Sequence, residues 1–243
     1  MSSVGLVKKF ATVGGATMAS RLLGFSREAM MAAVLGAGPV ADAFYAAFRF
    51  PNLFRRLFAE GAFNAAFVPL FSKEIEANGP DGARRFSEEV FGILFTLLLG
   101  LTILMELAMP ILVRTIIAPG FSGDKVALTT TLAVIMFPYL MCMSLAAMMS
   151  GILNSLHKYF AAAIAPVFLN FILIGVLAYA IHNGVERRAA GHLMAWGVLA
   201  AGLVQLAIVA ISVRRSGIHI RLRRPRMTPA VRRLLALAIP AAI

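Results

Sequence analysis

Long apolar segments constrain the fold of this chain more than any other feature. A helix needs about 20 mostly apolar residues to cross a bilayer core. Hydrophobic residues make up 60% of the chain and charged residues only 14%, too few to cover a soluble globule of this length. We therefore predict an all-α fold, a polytopic transmembrane helical bundle. The predicted spans are residues 10–36, 40–71, 90–113, 126–153, 160–181 and 192–213.

The two ends of the sequence suggest how the chain is organised. Arg21 and Arg27 interrupt the first apolar run, and no small-residue cleavage site follows it, so we predict a retained first span and not a signal peptide. Residues 234–243 begin another apolar run, at about half the length of a span. The prediction is a six-helix transmembrane lobe over residues 1–213, a basic linker over 214–233 and the start of a seventh helix over 234–243.

Basic residues near the ends of the spans predict the orientation. The basic linker carries eight arginines and no acidic residue, and six spans place it on the same side as the N-terminus. Because basic residues resist translocation, both are expected in the cytoplasm. The predicted loop 72–89 falls on that side as well, whereas Arg187 and Arg188 fall outside and count against the scheme.

The formal net charge of +12 does not indicate a nucleic-acid partner. Its largest block is the basic linker, which lacks interleaved aromatic residues for stacking bases. Anionic lipid headgroups are the expected partner there, at about 1 kcal/mol per basic residue near the surface. No HExxH, GxSxG or P-loop pattern occurs, and the lone Cys142 has the character of a buried small hydrophobe, so neither an enzyme nor a metal or cofactor site is predicted.

Charges inside the first two predicted spans point to a function. An arginine at a helix centre costs roughly 2.5–3.5 kcal/mol on insertion scales, which makes lipid-facing positions unfavourable. On a helix, Arg21 and Arg27 lie about 9 Å apart along the axis and about 120° apart around it, so they could line two walls of one cavity. The alternative is a structural ion pair of Arg27 with Glu28 or with an acid of a neighbouring helix.

The second predicted span contains a further set of charges. Asp42, Arg49 and Arg56 recur every seven residues and would form one polar stripe on a continuous helix. Pro51 is predicted to kink this helix, and Glu60 lies one turn from Arg56, where it can compensate that charge. Phenylalanines at four-residue spacing predict a packing ridge, formed by Phe50, Phe54 and Phe58 and then by Phe63, Phe67 and Phe71.

The charges of both spans sum to a cationic surplus. They are Arg21, Arg27, Arg49, Arg55 and Arg56 against Glu28, Asp42 and Glu60. A surplus that the protein does not neutralise favours an anionic ligand, and the planar guanidinium suits phosphate oxygens.

The stretch SRLLGFSREAMMAAVLGAGPVADAFYAAFRFPNLFRRLFAEGAFNAAFVP, residues 20–69, resembles the N-terminal signature of the MurJ (MviN) family. This is a family of bacterial lipid II flippases in the multidrug/oligosaccharidyl-lipid/polysaccharide exporter superfamily. APGF at residues 118–121, FPY at 137–139 and GILNSLHKYFAAAIAPVFLN from Gly151 extend the resemblance through the chain.

The resemblance implies a multi-pass protein of the bacterial inner membrane with fourteen helices in all, two six-helix lobes around a cavity and two further helices. It implies lipid II as substrate, with Arg21, Arg27 and Arg55 as the binding arginines of the first lobe. Asp42 would act near the outer end of the second helix, with Glu28, Arg49, Arg56 and Glu60 as electrostatic or gating support.

Alternating access would then move the lipid II headgroup outward, coupled to the membrane potential or an ion gradient and without a cofactor. Proteins of cell-wall synthesis are conceivable partners. Two alternatives stay open: a flippase for another polyprenyl-linked oligosaccharide, and a non-transporting scaffold of cell-wall enzymes.

Overall fold

The computed structural model describes the backbone of residues 3–59 and 62–238, and the side chains of residues 15, 18, 20–49, 51–52, 63–234 and 236–237. Every regular element in this part of the chain is helical, which confirms the predicted fold class. The α-helices are α1 (Ser3–Leu35), α2 (Pro39–Ala59), α3 (Ala62–Leu112), α4 (Asp124–Met136), α5 (Tyr139–Ser155), α6 (Phe160–His182), α7 (Arg187–Arg215) and α8 (Pro229–Ala238). A π-helical turn, Val113–Ile117, follows α3 directly.

Within the described residues, four helical segments are long and apolar enough to cross a membrane. They are Phe63–Ile117, Asp124–Ser155, Phe160–His182 and Arg187–Arg215. These segments contain the last four predicted spans. The first two predicted spans fall on α1 and α2, which carry the arginines discussed above, and their membrane crossing stays a prediction.

The second predicted span, residues 40–71, falls on α2 and on the start of α3. Residues 60 and 61 lie outside the described residues, so the continuity of this span stays a prediction. Pro51 lies inside α2. The predicted loop 72–89 contains a break in the helix at Gly79, with helical residues on both sides.

α3 consists of two helical halves that are separated by a kink at Gly79, within the predicted loop. Gly79 has φ 65° and ψ −168°, outside the helical region, and it is followed by Pro80. This backbone conformation is accessible almost only to glycine. Because proline has no N–H to continue the helical hydrogen bonds, the two halves of α3 meet at an angle there.

The predicted span 126–153 is likewise interrupted by a proline. Pro138 separates α4 from α5, yet the amide of Phe137 still donates to the carbonyl of Ala133 at 2.8 Å. The amide of Cys142 donates to the carbonyl of Pro138 at 3.3 Å, which resumes the helical pattern. The two helices therefore form one bent span, and Cys142 within it is buried as predicted.

Two clusters of buried side chains form the core. The first surrounds Phe44 and Phe137 and joins α2 to α4 and α7. The second surrounds Phe67 and Phe71 and includes residues of α8. The rings of Phe67 and Phe71 stack with centroids 5.8 Å apart, which confirms the packing ridge on α3.

The other described helices cover α1 only in part. α1 packs mainly against α6 and has little contact with α2. One face of α1 is therefore left uncovered, and Met18, Arg21, Leu22 and Phe25 are exposed on it. In a membrane protein such a face meets lipid, another part of the protein or an open cavity.

Candidate functional site

Arg27 is held between α1 and α6. Its Nη1 donates a hydrogen bond to Oδ1 of Asn170 at 3.0 Å, and its Nη2 contacts Oε1 of Glu28 at 2.5 Å. The Arg27 side chain is 16% exposed, and its buried Nε has no hydrogen-bond partner among the described residues. The structure thus shows the ion pair with Glu28 that the sequence left open as an alternative.

Asn170 fixes α1 on α6 through two positions of α1. Besides accepting from Arg27, it donates through Nδ2 to the carbonyl oxygen of Ser20 at 3.0 Å. Asn170 is only 6% exposed, in a helix whose other inward residues are apolar. A buried amide of this kind is costly unless it is paired, so its hydrogen bonds specify how the two helices meet.

Glu28 continues the set of contacts to α2. Its Oε2 accepts a hydrogen bond from the hydroxyl of Tyr45 at 3.0 Å, while its Oε1 faces Arg27. A continuous series of polar contacts therefore runs from Asn170 on α6 through Arg27 and Glu28 on α1 to Tyr45 on α2. We call these four residues the polar network.

The remaining predicted arginines are only partly described. Arg21 and Arg49 are exposed, and none of the described carboxylates forms an ion pair with either of them. Arg55 and Arg56 lie on α2, but their side chains are not among those described, and Glu60 falls outside the described residues. The grouping of Arg21, Arg27 and Arg55 around one substrate stays a prediction.

Asp42 lies apart from the polar network and has its own partner. Its Oδ2 is 2.6 Å from Nζ of Lys125, in the first turn of α4, and that ammonium group lies 3.9 Å from the centroid of the Phe121 ring. Asp42 is 56% exposed at its side chain, so the pair adds little stability but aligns the N-terminal ends of α2 and α4.

Three residues of these arrangements were not singled out from the sequence. Asn170 carried a usable signal, because a polar side chain inside an apolar span is by default a candidate functional residue. Tyr45 and Lys125 carried none, since a tyrosine and a lysine near the ends of predicted spans are common there.

The charges of the polar network are balanced, because Arg27 and Glu28 neutralise each other. Glu28 also accepts a hydrogen bond from Tyr45, which it would keep if Arg27 bound another anion. Arg21 lies on the exposed face of the same helix. Guanidinium groups bind phosphate oxygens by charge-assisted hydrogen bonds, so this region of α1 has the chemistry for an anionic ligand.

Comparisons with known proteins identify the family of this chain. The sequence profile of the family described as "Lipid II flippase MurJ" matches residues 31–243. The chain belongs to the lipid II flippase MurJ family. A probable lipid II flippase MurJ of Rhizobium meliloti (strain 1021) is 72% identical over 242 residues, which are 99% of this chain and 45% of that protein.

Solved structures give the same family and fold. A lipid II flippase MurJ in an inward closed conformation is 27% identical and superposes with a TM-score of 0.71 over 95% of this chain and 46% of the other. A multidrug resistance MATE family transporter in an outward-facing conformation has a TM-score of 0.67 at 16% identity, over 96% of this chain and 51% of the other, which shows the shared fold alone. The chain spans about half the length of the relatives it matches.

Proposed function

We propose that this chain supplies one lobe of a lipid II flippase, which moves the lipid-linked peptidoglycan precursor from the cytoplasmic to the outer leaflet of the bacterial inner membrane. The observation that carries the proposal is family membership together with the polar network that joins α1 to α6 and α2. The proposed substrate-binding residues are Arg21, Arg27 and Arg55, facing the diphosphate of lipid II.

The polar network suggests how binding begins. Without substrate, Glu28 neutralises Arg27 and Asn170 holds the guanidinium in place. A diphosphate then replaces Glu28 as the partner of Arg27, and Glu28 keeps its hydrogen bond from Tyr45. Exchange of one anion for another avoids leaving a buried charge unpaired, which would cost several kcal/mol.

Transport would follow from alternating access of two lobes, with the polyprenyl tail left in lipid. Charge carried across the membrane makes the step sensitive to voltage, at about 2.3 kcal/mol per charge per 100 mV. The N-terminus and the basic linker would face the cytoplasm, where the arginines meet anionic headgroups. The Asp42–Lys125 pair would belong to the outer gate.

The test uses full-length protein that contains this chain, reconstituted in vesicles with lipid II. Arg27→Ala is expected to lower lipid II flipping by about 10- to 150-fold, because a charge-assisted phosphate contact of this kind contributes about 1.5–3 kcal/mol. Arg27→Lys keeps the charge but not the paired donors and should fall between. Arg114→Ala, at an exposed arginine of the π-helical turn, is the matched control.

Undiminished flipping by Arg27→Ala at normal protein level would overturn the binding role. Export of a different polyprenyl-linked oligosaccharide, with lipid II untouched, would replace the substrate. A scaffold would show no transport of either lipid, and changes in the basic linker would then matter more than changes at Arg27.

A further inference from the structure

One buried carboxylate lies at the end of the bundle where α8 packs. It takes no part in the binding site proposed above. Glu88, on α3, is 0% exposed. Its Oε2 lies 2.6 Å from Nε of Arg223, although no aligned hydrogen bond accompanies this ion pair. Its Oε1 faces Nη1 of Arg84 and the backbone amide of Arg221, each at 3.4 Å. Two of these three contacts come from the segment that links α7 to α8.

That segment, residues 217–228, crosses α3 at close range, and we call it the strap. A Cβ atom added to Gly92, one turn after Glu88, would lie 2.5 Å from the carbonyl oxygen of Arg223. Only a glycine at position 92 therefore admits the strap backbone at this distance. The strap has no regular secondary structure of its own, so its path depends on these contacts.

The last residue of the strap connects it to α8. The hydroxyl of Thr228 donates to Oε2 of Glu89 at 2.8 Å and lies 3.4 Å from the amide of Val231. The second contact makes Thr228 the N-cap residue of α8. Pro229 follows at the first helical position, where proline is favoured. One side chain thus begins α8 and ties its start to α3.

α8 is then held by packing. Val231 and Leu234 are 1% and 2% exposed and belong to the second core cluster together with Phe71 and Phe86 of α3. Arg232, Arg233 and Leu237 are exposed. The segment that follows α7 is therefore anchored on α3 at Glu88, at Glu89, at Gly92 and through the core.

We propose that Glu88 is a positioning residue that docks the strap on α3 and thereby makes α8 move with α3. The proposal rests on the proposed function, in which a second lobe follows α8 and the two lobes move relative to each other. A docked strap transmits a displacement of α3 to α8, whereas a free one absorbs it. The neutral form, Glu88→Gln, removes the charge that gathers Arg84, Arg223 and the Arg221 amide.

The first arm of the test measures docking without transport. Trypsin is added to full-length protein in membranes, and cleavage within residues 217–228 is followed over time. Glu88→Gln retains every arginine of the strap, and we expect cleavage about tenfold faster than in the wild type because local opening becomes easier. Gly92→Ala should give the same result through a second contact of α3 with the strap, with Glu88 intact.

Matched variants separate docking from general damage. Gly100→Ala lies on the same helix with no atom within 4 Å of the added Cβ, so cleavage should not change. Thr228→Val keeps the side-chain shape but loses the hydrogen bond to Glu89, and an increase of about threefold is expected. Equal cleavage rates in the wild type, Glu88→Gln and Gly92→Ala would overturn the docking.

The second arm measures coupling in the same preparations. Glu88→Gln and Gly92→Ala are expected to slow lipid II flipping about fivefold or more while the affinity for lipid II stays unchanged, since α3 and α8 pack little against the helix that carries Arg27 and the altered contacts act on a conformational step. If the variants are cleaved faster but flip lipid II at the normal rate, the coupling is overturned and Glu88 has a role in stability alone. No flipping by the wild type would overturn the proposed function and the coupling with it, while the tryptic cleavage would still decide the docking.

Discussion

Asn170 contacts two groups of α1. It accepts from Arg27 and donates to the carbonyl of Ser20, so one buried amide fixes both the position of the Arg27 guanidinium and the packing of α1 on α6. Arg27 is in turn held against Glu28. The proposed binding by Arg27 therefore depends on an uncharged side chain of another helix.

We expect Asn170→Ala to destabilise the full-length protein by about 1–3 kcal/mol, because Arg27 loses a buried hydrogen-bond partner. Lipid II flipping should fall more than this loss of folded protein explains, since Glu28 is then the remaining described partner of the guanidinium and no longer shares it with Asn170. Denaturant unfolding and a vesicle flipping assay measure the two effects.

Asn183→Ala is the control, because the exposed Asn183 side chain donates only to the Tyr179 carbonyl within its own turn. Asn170→Asp retains the acceptor but adds an acid beside Arg27, so it should preserve more stability than Asn170→Ala and still impair flipping. Normal flipping by Asn170→Ala would show that the polar network is not used in transport.

At the scale of the element, α3 shows how much backbone geometry a hydropathy pattern leaves out. Its 51 residues include the end of one predicted span, a predicted loop and most of the next predicted span. The turn-forming residues around Gly79 and Pro80 predicted a loop, and the helix is broken at Gly79, although helical residues continue close to it on both sides. The rings of Phe67 and Phe86 stack with centroids 5.6 Å apart, so the two halves pack against each other across the kink.

Replacement of Gly79 by alanine tests the cause of this bend. At φ 65° and ψ −168° a side chain is strained, so Gly79→Ala is expected to cost about 1–3 kcal/mol of unfolding free energy. Gly175→Ala is the matched control, since its added Cβ meets no atom within 4 Å in helical α6. Thermal unfolding of both variants should differ in this direction, and equal stabilities would mean that the bend relaxes at no cost.

The bounds of a predicted span were accurate where its apolar run contains no helix break. The span predicted at 160–181 coincides with α6 to within one residue, because its apolar run and its helix end together. The span predicted at 126–153 is instead divided between α4 and α5, because hydropathy records the length of an apolar run and not a break within it.

The candidate site was predictable to the same limited extent. The Arg27–Glu28 pair could be anticipated because the residues are adjacent in sequence. Asn170 lies 143 positions from Arg27, and Lys125 lies 83 from Asp42, so only the packing of the helices brings these partners together. Glu88 was missed for the same reason, since its strap partners come from the far side of α7.

At the scale of the whole molecule, the charged groups separate toward two ends of a largely apolar bundle. The Asp42–Lys125 pair accompanies the first core cluster, and Glu88 with the strap accompanies the second. α7, with 29 residues, is about 43 Å long, enough to cross a bilayer with its headgroup regions. Residues just before and just after α7 should therefore lie on opposite sides of the membrane.

Labelling of single cysteines with a membrane-impermeant maleimide tests this topology in intact cells. Glu186→Cys, immediately before α7, should be labelled from outside, and Arg224→Cys, in the strap, only after permeabilisation, because the eight arginines of the basic linker oppose translocation. The wild-type chain serves as the background control, since its lone Cys142 is 2% exposed inside the α4–α5 span and should not react. With cysteines elsewhere in the full-length protein replaced, labelling of Arg224→Cys from outside would invert the orientation. The basic linker would then be unable to meet cytoplasmic headgroups, and the arginines of α1 would have to be approached from the opposite side.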